Sequence, residues 1–178
     1  MKSDEIMEGL TSSEVIRIAD SLQQLDLILR KEEAGAEFIP VVCRLLDYED
    51  AIKSKALWCL GKLGQNKVAD PSSLPHIHGL SDDEDPENRE NMAWALGEMA
   101  GAGVGDYASL EVLIDLLDDE DPHVKSMAAW SLGRYATKLD IRSKRCLDGL
   151  ESMAESPSQM IRKSAEFALE RIRGLERS

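Results

Sequence analysis

A short motif, Trp-x-Leu-Gly, occurs three times at one fixed spacing and constrains the fold more than any other feature of the sequence. The copies are Trp58-Cys-Leu-Gly61, Trp94-Ala-Leu-Gly97 and Trp130-Ser-Leu-Gly133, each 36 residues from the next. A divergent copy, Phe167-Ala-Leu-Glu170, follows after 37 residues. Self-similarity at such a period is typical of supersecondary units that stack into an array. The sequence therefore predicts a repeat protein.

The residues before each motif divide the unit into two helices. An acidic turn precedes each of the first three motifs, with the sequences LLDYED, LSDDEDP and LLDDEDP, and a basic residue follows a few positions later. Asp-Pro favours a helix start, because Asp caps the first turn and Pro suits the first helical position. Each unit therefore reads as helix A, acidic turn and helix B, and the predicted repeats span 38–70, 71–105, 106–140 and 141–174.

The predicted helices follow from this division. The A helices are Phe38 to Asp47, a short one near Leu74 to Leu80, Leu110 to Asp118 and Ile141 to Glu155. The B helices are Asp50 to Gly64, Pro86 to Ala100, Pro122 to Thr137 and Pro157 to Gly174.

The third B helix shows which face is buried. Val124, Ala128, Ser131, Leu132 and Tyr135 fall within one arc at about 100° per residue. Aromatic residues make up only 4% of the chain, so Leu, Ile, Val, Ala and Met must build the core. This composition favours helices over a β-sandwich, and the fold class is predicted to be all-α.

The whole pattern resembles the HEAT-like repeats of the phycobilisome-lyase type over residues 38–174. The resemblance implies a single domain, 1–178, folded as a right-handed α-α superhelix of four two-helix repeats, with the B helices lining its concave surface. The segment MAWALGEMAG also resembles the groove-lining helix of armadillo proteins, whose tryptophans imply peptide binding. Tetratricopeptide repeats are excluded, because they carry Trp-x-x-Leu-Gly on the first helix.

The N-terminal segment, residues 1–37, departs from the repeat. Its apolar residues recur every three or four positions on one long helix, with Ser12 or Ser13 as the cap; they are Val15, Ile18, Leu22, Leu25 and Leu29. We expect a capping helix, because terminal units of a solenoid are usually atypical. A self-association stripe is the alternative.

The three tryptophans are the candidate partner-binding residues. Trp58, Trp94 and Trp130 lie about 240° around helix B from the buried anchor, on the flank of the buried arc. On the concave surface they would form a ladder, to which a basic peptide could bind through cation-π contacts. In the alternative interpretation each Trp fills the gap between successive B helices. Gly61, Gly97 and Gly133 then mark either close helix packing or room for a ligand.

Charged residues share that flank. The second unit contributes Glu87, Glu90 and Glu98, which we expect to bind cations of the partner, and the third contributes Arg134. The function predicted from these residues is a scaffold or adaptor that binds a protein segment.

Net charge and targeting signals limit the other functions. A formal charge of −13 disfavours nucleic acid and anionic membranes as partners. The sequence shows no signal peptide and no apolar segment of membrane-spanning length, and its three cysteines lack a Cys-x-x-Cys pair. These features predict a cytoplasmic protein with reduced thiols.

No catalytic or metal motif accompanies the repeats. His76 and His78 diverge on a helix, and neither a Ser-His-Asp grouping nor a phosphate loop is found. We therefore expect a non-enzymatic protein without a cofactor. The alternative, implied by the resemblance alone, is a lyase or chaperone for a bilin (a linear tetrapyrrole).

Overall fold

The computed structural model describes residues 3–31, 35–136, 141 and 143–175, and this part of the chain is all-α. The described residues form ten α-helices: α1 (Ser3–Leu10), α2 (Val15–Leu29), α3 (Ile39–Arg44), α4 (Asp50–Gln65), α5 (Leu74–His78), α6 (Pro86–Gly101), α7 (Tyr107–Asp115), α8 (Pro122–Tyr135), α9 (Lys144–Ala154) and α10 (Gln159–Leu175). Single 3₁₀ turns at Leu45–Asp47 and Leu116–Asp118 extend α3 and α7, and two others, Ala36–Phe38 and Pro71–Ser73, precede α3 and α5.

The helices form two layers, which confirms the predicted solenoid. The even-numbered helices α2, α4, α6, α8 and α10 each pack on the next and form the B layer. The odd-numbered helices form the A layer, and each is joined by a short turn to the B helix that follows. Each predicted A or B helix is found in its predicted layer. The predicted end of the third B helix, Thr137, lies outside the described residues.

The Asp-Pro turns start the B helices as predicted. Asp85 accepts a hydrogen bond from the backbone N–H of Glu87 at 2.9 Å, and Asp121 accepts from His123 at 2.8 Å. Pro86 occupies the first turn of α6 without loss, since its missing N–H has no helical partner there. The third A helix starts earlier than predicted, at Tyr107, because Asp106 caps it by accepting from Ser109.

The N-terminal segment is a helical hairpin rather than one helix. Helix α2 was predicted, whereas α1 was not. Neither predicted serine caps α2: its N-cap is Glu14, which makes no side-chain cap bond, and Ser12 Oγ accepts from the N–H of Glu14 at 3.1 Å. Helix α1 crosses α2 at Gly9, where a Cβ would stand only 3.0 Å from that of Ser21.

The apolar stripe of α2 is a cap on the first repeat. Ile18, Leu22, Leu25 and Leu29 are each at most 1% exposed, and they belong to the same core as the repeats. Val15 is the exception, at 41% exposed. The stripe is therefore occupied within the chain, and the N-terminal hairpin adds one helix to each layer, with α1 against α3 and α2 against α4.

The leucines of the repeated motif lie in the centre of the core. Leu60, Leu96 and Leu132 are fully buried, as is the arc predicted on the third B helix. None of the helices in the described part of the chain is long and apolar enough to cross a membrane.

Ion pairs between units fix the register of the B helices. Lys53 of α4 donates to Asp83 in the next acidic turn at 2.6 Å. Arg89 of α6 donates through two nitrogens to Asp119 in the following turn, at 2.7 and 2.9 Å. Both side chains of the second pair are at most 10% exposed. In the first two units the basic residue that follows the acidic turn thus joins its own unit to the next one.

Candidate partner-binding surface

The Trp and Gly of the repeated motif contact each other across successive units. A Cβ on Gly61 would stand 2.5 Å from Cε3 and 2.8 Å from Cη2 of Trp94. A Cβ on Gly97 would stand 2.8 Å from Cζ3 of Trp130, and Gly133 receives Phe167 in the same way. Real Cβ atoms do not approach heavy atoms so closely. The missing Cβ of each glycine therefore leaves the space that the aromatic ring of the next unit occupies, and we call this position a glycine seat. The structural interpretation of these glycines is therefore the one that the geometry supports.

Trp58 differs from the other tryptophans because it has no glycine seat. The helix on which it packs, α2, contains no glycine, and the Trp58 indole contacts Asp26 there. Trp58 is 39% exposed, whereas Trp94 and Trp130 are half-buried. Its ring stacks on Trp94 with centroids 4.8 Å apart and planes inclined by 22°. The tryptophans are thus packed between B helices while keeping one edge at the surface.

A hydrogen bond fixes the orientation of the exposed indole. The Nε1–H of Trp58 donates to Asp26 Oδ1 of α2 at 2.8 Å. The other oxygen of Asp26 accepts from Arg30 at 2.9 Å. Asp26 therefore holds the ring in place. It was not among the predicted site residues, because its helix carries no copy of the repeated motif.

Glu98 and Arg134 form an ion pair across successive units. The Arg134 guanidinium donates to Glu98 at 3.0 Å and lies over the ring of Trp130, 5.3 Å from its centroid. Glu98 is only 6% exposed. The two residues occupy equivalent positions of adjacent units, and equivalent positions stack in a solenoid. Glu98 is consequently separated from Glu87 and Glu90, with which the sequence grouped it.

A first groove of about 520 Å³ opens between α2, α4 and α6. Trp58 and the carboxylates of Asp26 and Glu87 lie along it. Its lining is completed by Leu22, Gln23, Ser54, Lys55, Cys59 and Asn91. The amide of Asn91 donates to Ser54 at 3.2 Å, which orders one wall of this groove.

A second groove of about 400 Å³ opens on the other side of α6, between α6, α8 and α10. It is lined by Glu90, Trp94, His123, Ser126, Met127, Trp130, Met160 and Ser164. Burial raises the pKa of Glu90, although His123 opposes the shift. Both methionines were missed from the sequence, because Met at helical spacing reads equally well as core.

The cysteines are too deeply buried for nucleophilic chemistry. Cys43, Cys59 and Cys146 are free thiols within the core. Burial raises the pKa of Cys43 to about 11 and that of Cys146 to about 12, so both stay protonated at neutral pH. Across the described ranges, no group of His, Cys, Asp and Glu side chains is arranged to hold a metal ion.

Comparison with protein families identifies the repeat. A model of HEAT repeats matches residues 74–170, more than half of the chain. The chain belongs to the HEAT repeat family. The Trp-Gly contacts and the ion pairs between turns are thus the details by which this HEAT array stacks its units. No match was found among curated proteins.

Solved structures with the same fold include natural and engineered solenoids. The HEAT array matches the CpcE–CpcF complex of phycocyanin lyase from Nostoc sp. PCC7120 with a TM-score of 0.76 and 17% identity, over 97% of this chain and 65% of that one. It matches an engineered protein with a TM-score of 0.74 and 21% identity, over 97% and 80%. A designed armadillo repeat protein in complex with the peptide (KR)4 matches with a TM-score of 0.59 and 17% identity, over 97% and 100%.

Proposed function

We propose that this HEAT-repeat chain is a non-enzymatic scaffold that binds a segment of a partner protein along its B-helix face. The observation that carries the proposal is the pair of grooves on either side of α6, each bordered by tryptophan. Grooves that follow one another across a helix layer suit an extended chain better than a compact small molecule. Exposed edges of Trp are also where binding energy tends to concentrate at interfaces.

A basic segment is the preferred class of partner. Carboxylates border both grooves, and the net charge of −13 attracts a cationic chain from a distance. Trp58 presents an indole edge beside Asp26 and Glu87, so a cationic side chain would meet charge and apolar surface together. The designed armadillo protein that shares this fold binds the peptide (KR)4, which supports the same choice.

Affinity capture from the native cell tests the proposal. The chain is used as bait beside Trp58→Ala and the control Tyr107→Ala, which removes an exposed aromatic from α7 in the A layer. We expect Trp58→Ala to lose partners that Tyr107→Ala retains. Thermal unfolding of both variants checks that the fold persists. Partners captured equally by the two variants would count against the B-helix face as the binding surface.

A tetrapyrrole ligand is the second candidate. It is supported by the shared fold with the phycocyanin lyase complex and by the tryptophan and methionine walls of the second groove. Titration of a bilin with the protein tests it, because an enclosed chromophore changes its absorption spectrum. An unchanged spectrum at saturating protein would remove this candidate.

A further inference from the structure

The two grooves present different chemistry to a bound chain. The first groove is lined by the indole of Trp58, the carboxylates of Asp26 and Glu87 and the ammonium group of Lys55. Asp26 already accepts hydrogen bonds from Trp58 and Arg30, and Lys62 lies 5.8 Å from the centroid of the Trp58 ring. Glu87 is exposed, and its only described partner is a long hydrogen bond of 3.4 Å from Ser54. This groove therefore retains a carboxylate that a ligand cation can reach.

The second groove is walled mainly by apolar side chains. Trp94 and Trp130 face Met127 and Met160 across it. Flexible thioether side chains adapt to bulky apolar groups. Its carboxylate, Glu90, is half-buried, so it is less accessible to a ligand cation than the exposed Glu87 of the first groove. A cation that enters this groove would lose hydration and gain a weaker interaction with a carboxylate than in the first groove.

The helix packing sets the separation of the two grooves. The first is centred on α4 and the second on α8, with α6 between them. Packed helices lie about 8–10 Å apart, so the groove centres are separated by about 16–20 Å. An extended chain advances about 3.3 Å per residue, so this distance corresponds to about five or six residues.

We infer that the bound segment carries a basic residue for the first groove and a large apolar residue, about five positions away, for the second. This inference rests on the proposed function and names the ligand class of the same surface. It distinguishes this chain from a receptor for uniformly basic peptides.

Synthetic peptides test the inference. Gly-Ser peptides are prepared with Arg and Leu five positions apart, in both orders along the chain. The comparison peptides have Arg at both positions, or Arg and Leu two positions apart. Binding is followed by protein emission, since all three tryptophans lie on this face. Of the two peptides with Arg and Leu five positions apart, we expect the one whose order matches the direction of binding to bind about tenfold more tightly than either comparison peptide.

Two variants assign each peptide residue to its groove. Glu87→Gln should weaken the contribution of the peptide's Arg to the binding affinity and leave the contribution of its Leu unchanged. Its control is Glu84→Gln, an exposed carboxylate of the acidic turn that borders neither groove. Met160→Glu places a carboxylate at the mouth of the second groove, where Met160 is 37% exposed, and should reverse the preference for Leu over Arg. Gln159→Glu, on the same helix and outside the groove, is its control.

The outcomes separate the two proposals. Equal or tighter binding of the Arg-Arg peptide, or indifference to the spacing of Arg and Leu, overturns the two-residue inference and leaves the scaffold function standing. Failure of every peptide to bind overturns both. A tenfold advantage of the Arg-Leu peptide that disappears in Met160→Glu but persists in Gln159→Glu supports the inference.

Discussion

Gly61→Ala tests whether the glycines of the motif exist to seat the aromatic ring of the next unit. Its added Cβ would stand 2.5 Å from Cε3 and 2.8 Å from Cη2 of Trp94. The ring cannot give way by bending, and it is stacked on Trp58 with centroids 4.8 Å apart. Relief of the clash must therefore move two indoles or separate α4 from α6.

Two opposed effects determine how far Gly61→Ala changes the free energy of unfolding. Ala is favoured over Gly within a helix by about 1 kcal/mol. Overpacking costs about 1–3 kcal/mol, and a rigid, stacked ring places this site at the upper end of that range. We expect the free energy of unfolding to fall by about 2 kcal/mol, which lowers Tm by about 4–8 °C in a chain of this size.

Gly174→Ala is the matched control, because no heavy atom lies within 4 Å of the Cβ that it adds to α10. This variant should be unchanged or more stable, by at most about 1 kcal/mol. Urea denaturation of both variants, followed by circular dichroism, gives the two free energies. If Gly61→Ala unfolds at or above the urea midpoint of the unmodified chain, the seating argument is refuted.

The remaining predictions concern the ion pairs and the exposed indole. Arg89→Ala should lower the free energy of unfolding by about 3–5 kcal/mol, because it leaves the buried Asp119 unpaired. Arg145→Ala breaks surface pairs and should cost less than about 1 kcal/mol, as measured by urea denaturation. Burial raises the pKa of Asp119, but hydrogen bonds from Arg89 and from the Asp121 N–H outweigh it, and the net pKa is lowered. Because the pKa of Asp119 is lower in the folded state, its ionised carboxylate stabilises the fold at pH values above the unfolded pKa of about 3.9, and this stabilisation is lost as the pH falls through the folded pKa. The difference in free energy of unfolding between the unmodified chain and Arg89→Ala should therefore narrow below about pH 4. Of the three single Trp→Phe replacements, that of Trp58 should lower the acrylamide quenching of the protein's fluorescence most. Equal losses of quenching from all three replacements would contradict the exposures described above.

The layer architecture could be predicted because its causes are local. An Asp-Pro pair determines where a B helix starts within a few residues of itself, as Asp85 and Asp121 show. The buried leucines repeat at a fixed spacing, which can be recognised in the sequence without knowledge of the residues that they contact. Helix α1 was missed for the opposite reason: eight residues carry too little periodicity, and its place depends on the approach of Gly9 to Ser21 on another helix.

The site was predicted less completely because its contacts join different units. Helical periodicity assigns a residue to a flank of its own helix, but it does not say which neighbour covers that flank. Glu98 and Arg134 were assigned to one flank, yet it is the 3.0 Å ion pair between them, across two units, that buries Glu98 and leaves Arg134 27% exposed. Glu87 and Glu90, only three residues apart, open into different grooves because α6 separates them.

The repeated motif is itself an example of this limit. Within one copy, Trp and Gly are three residues apart and do not explain each other. Across copies, Gly61 and Trp94 are two halves of one contact, separated by 33 residues of sequence. Trp58 is the exception, since it packs on α2, a helix that has no copy of the motif and no glycine. The most exposed tryptophan is therefore the one without a glycine seat, and its edge stays at the surface.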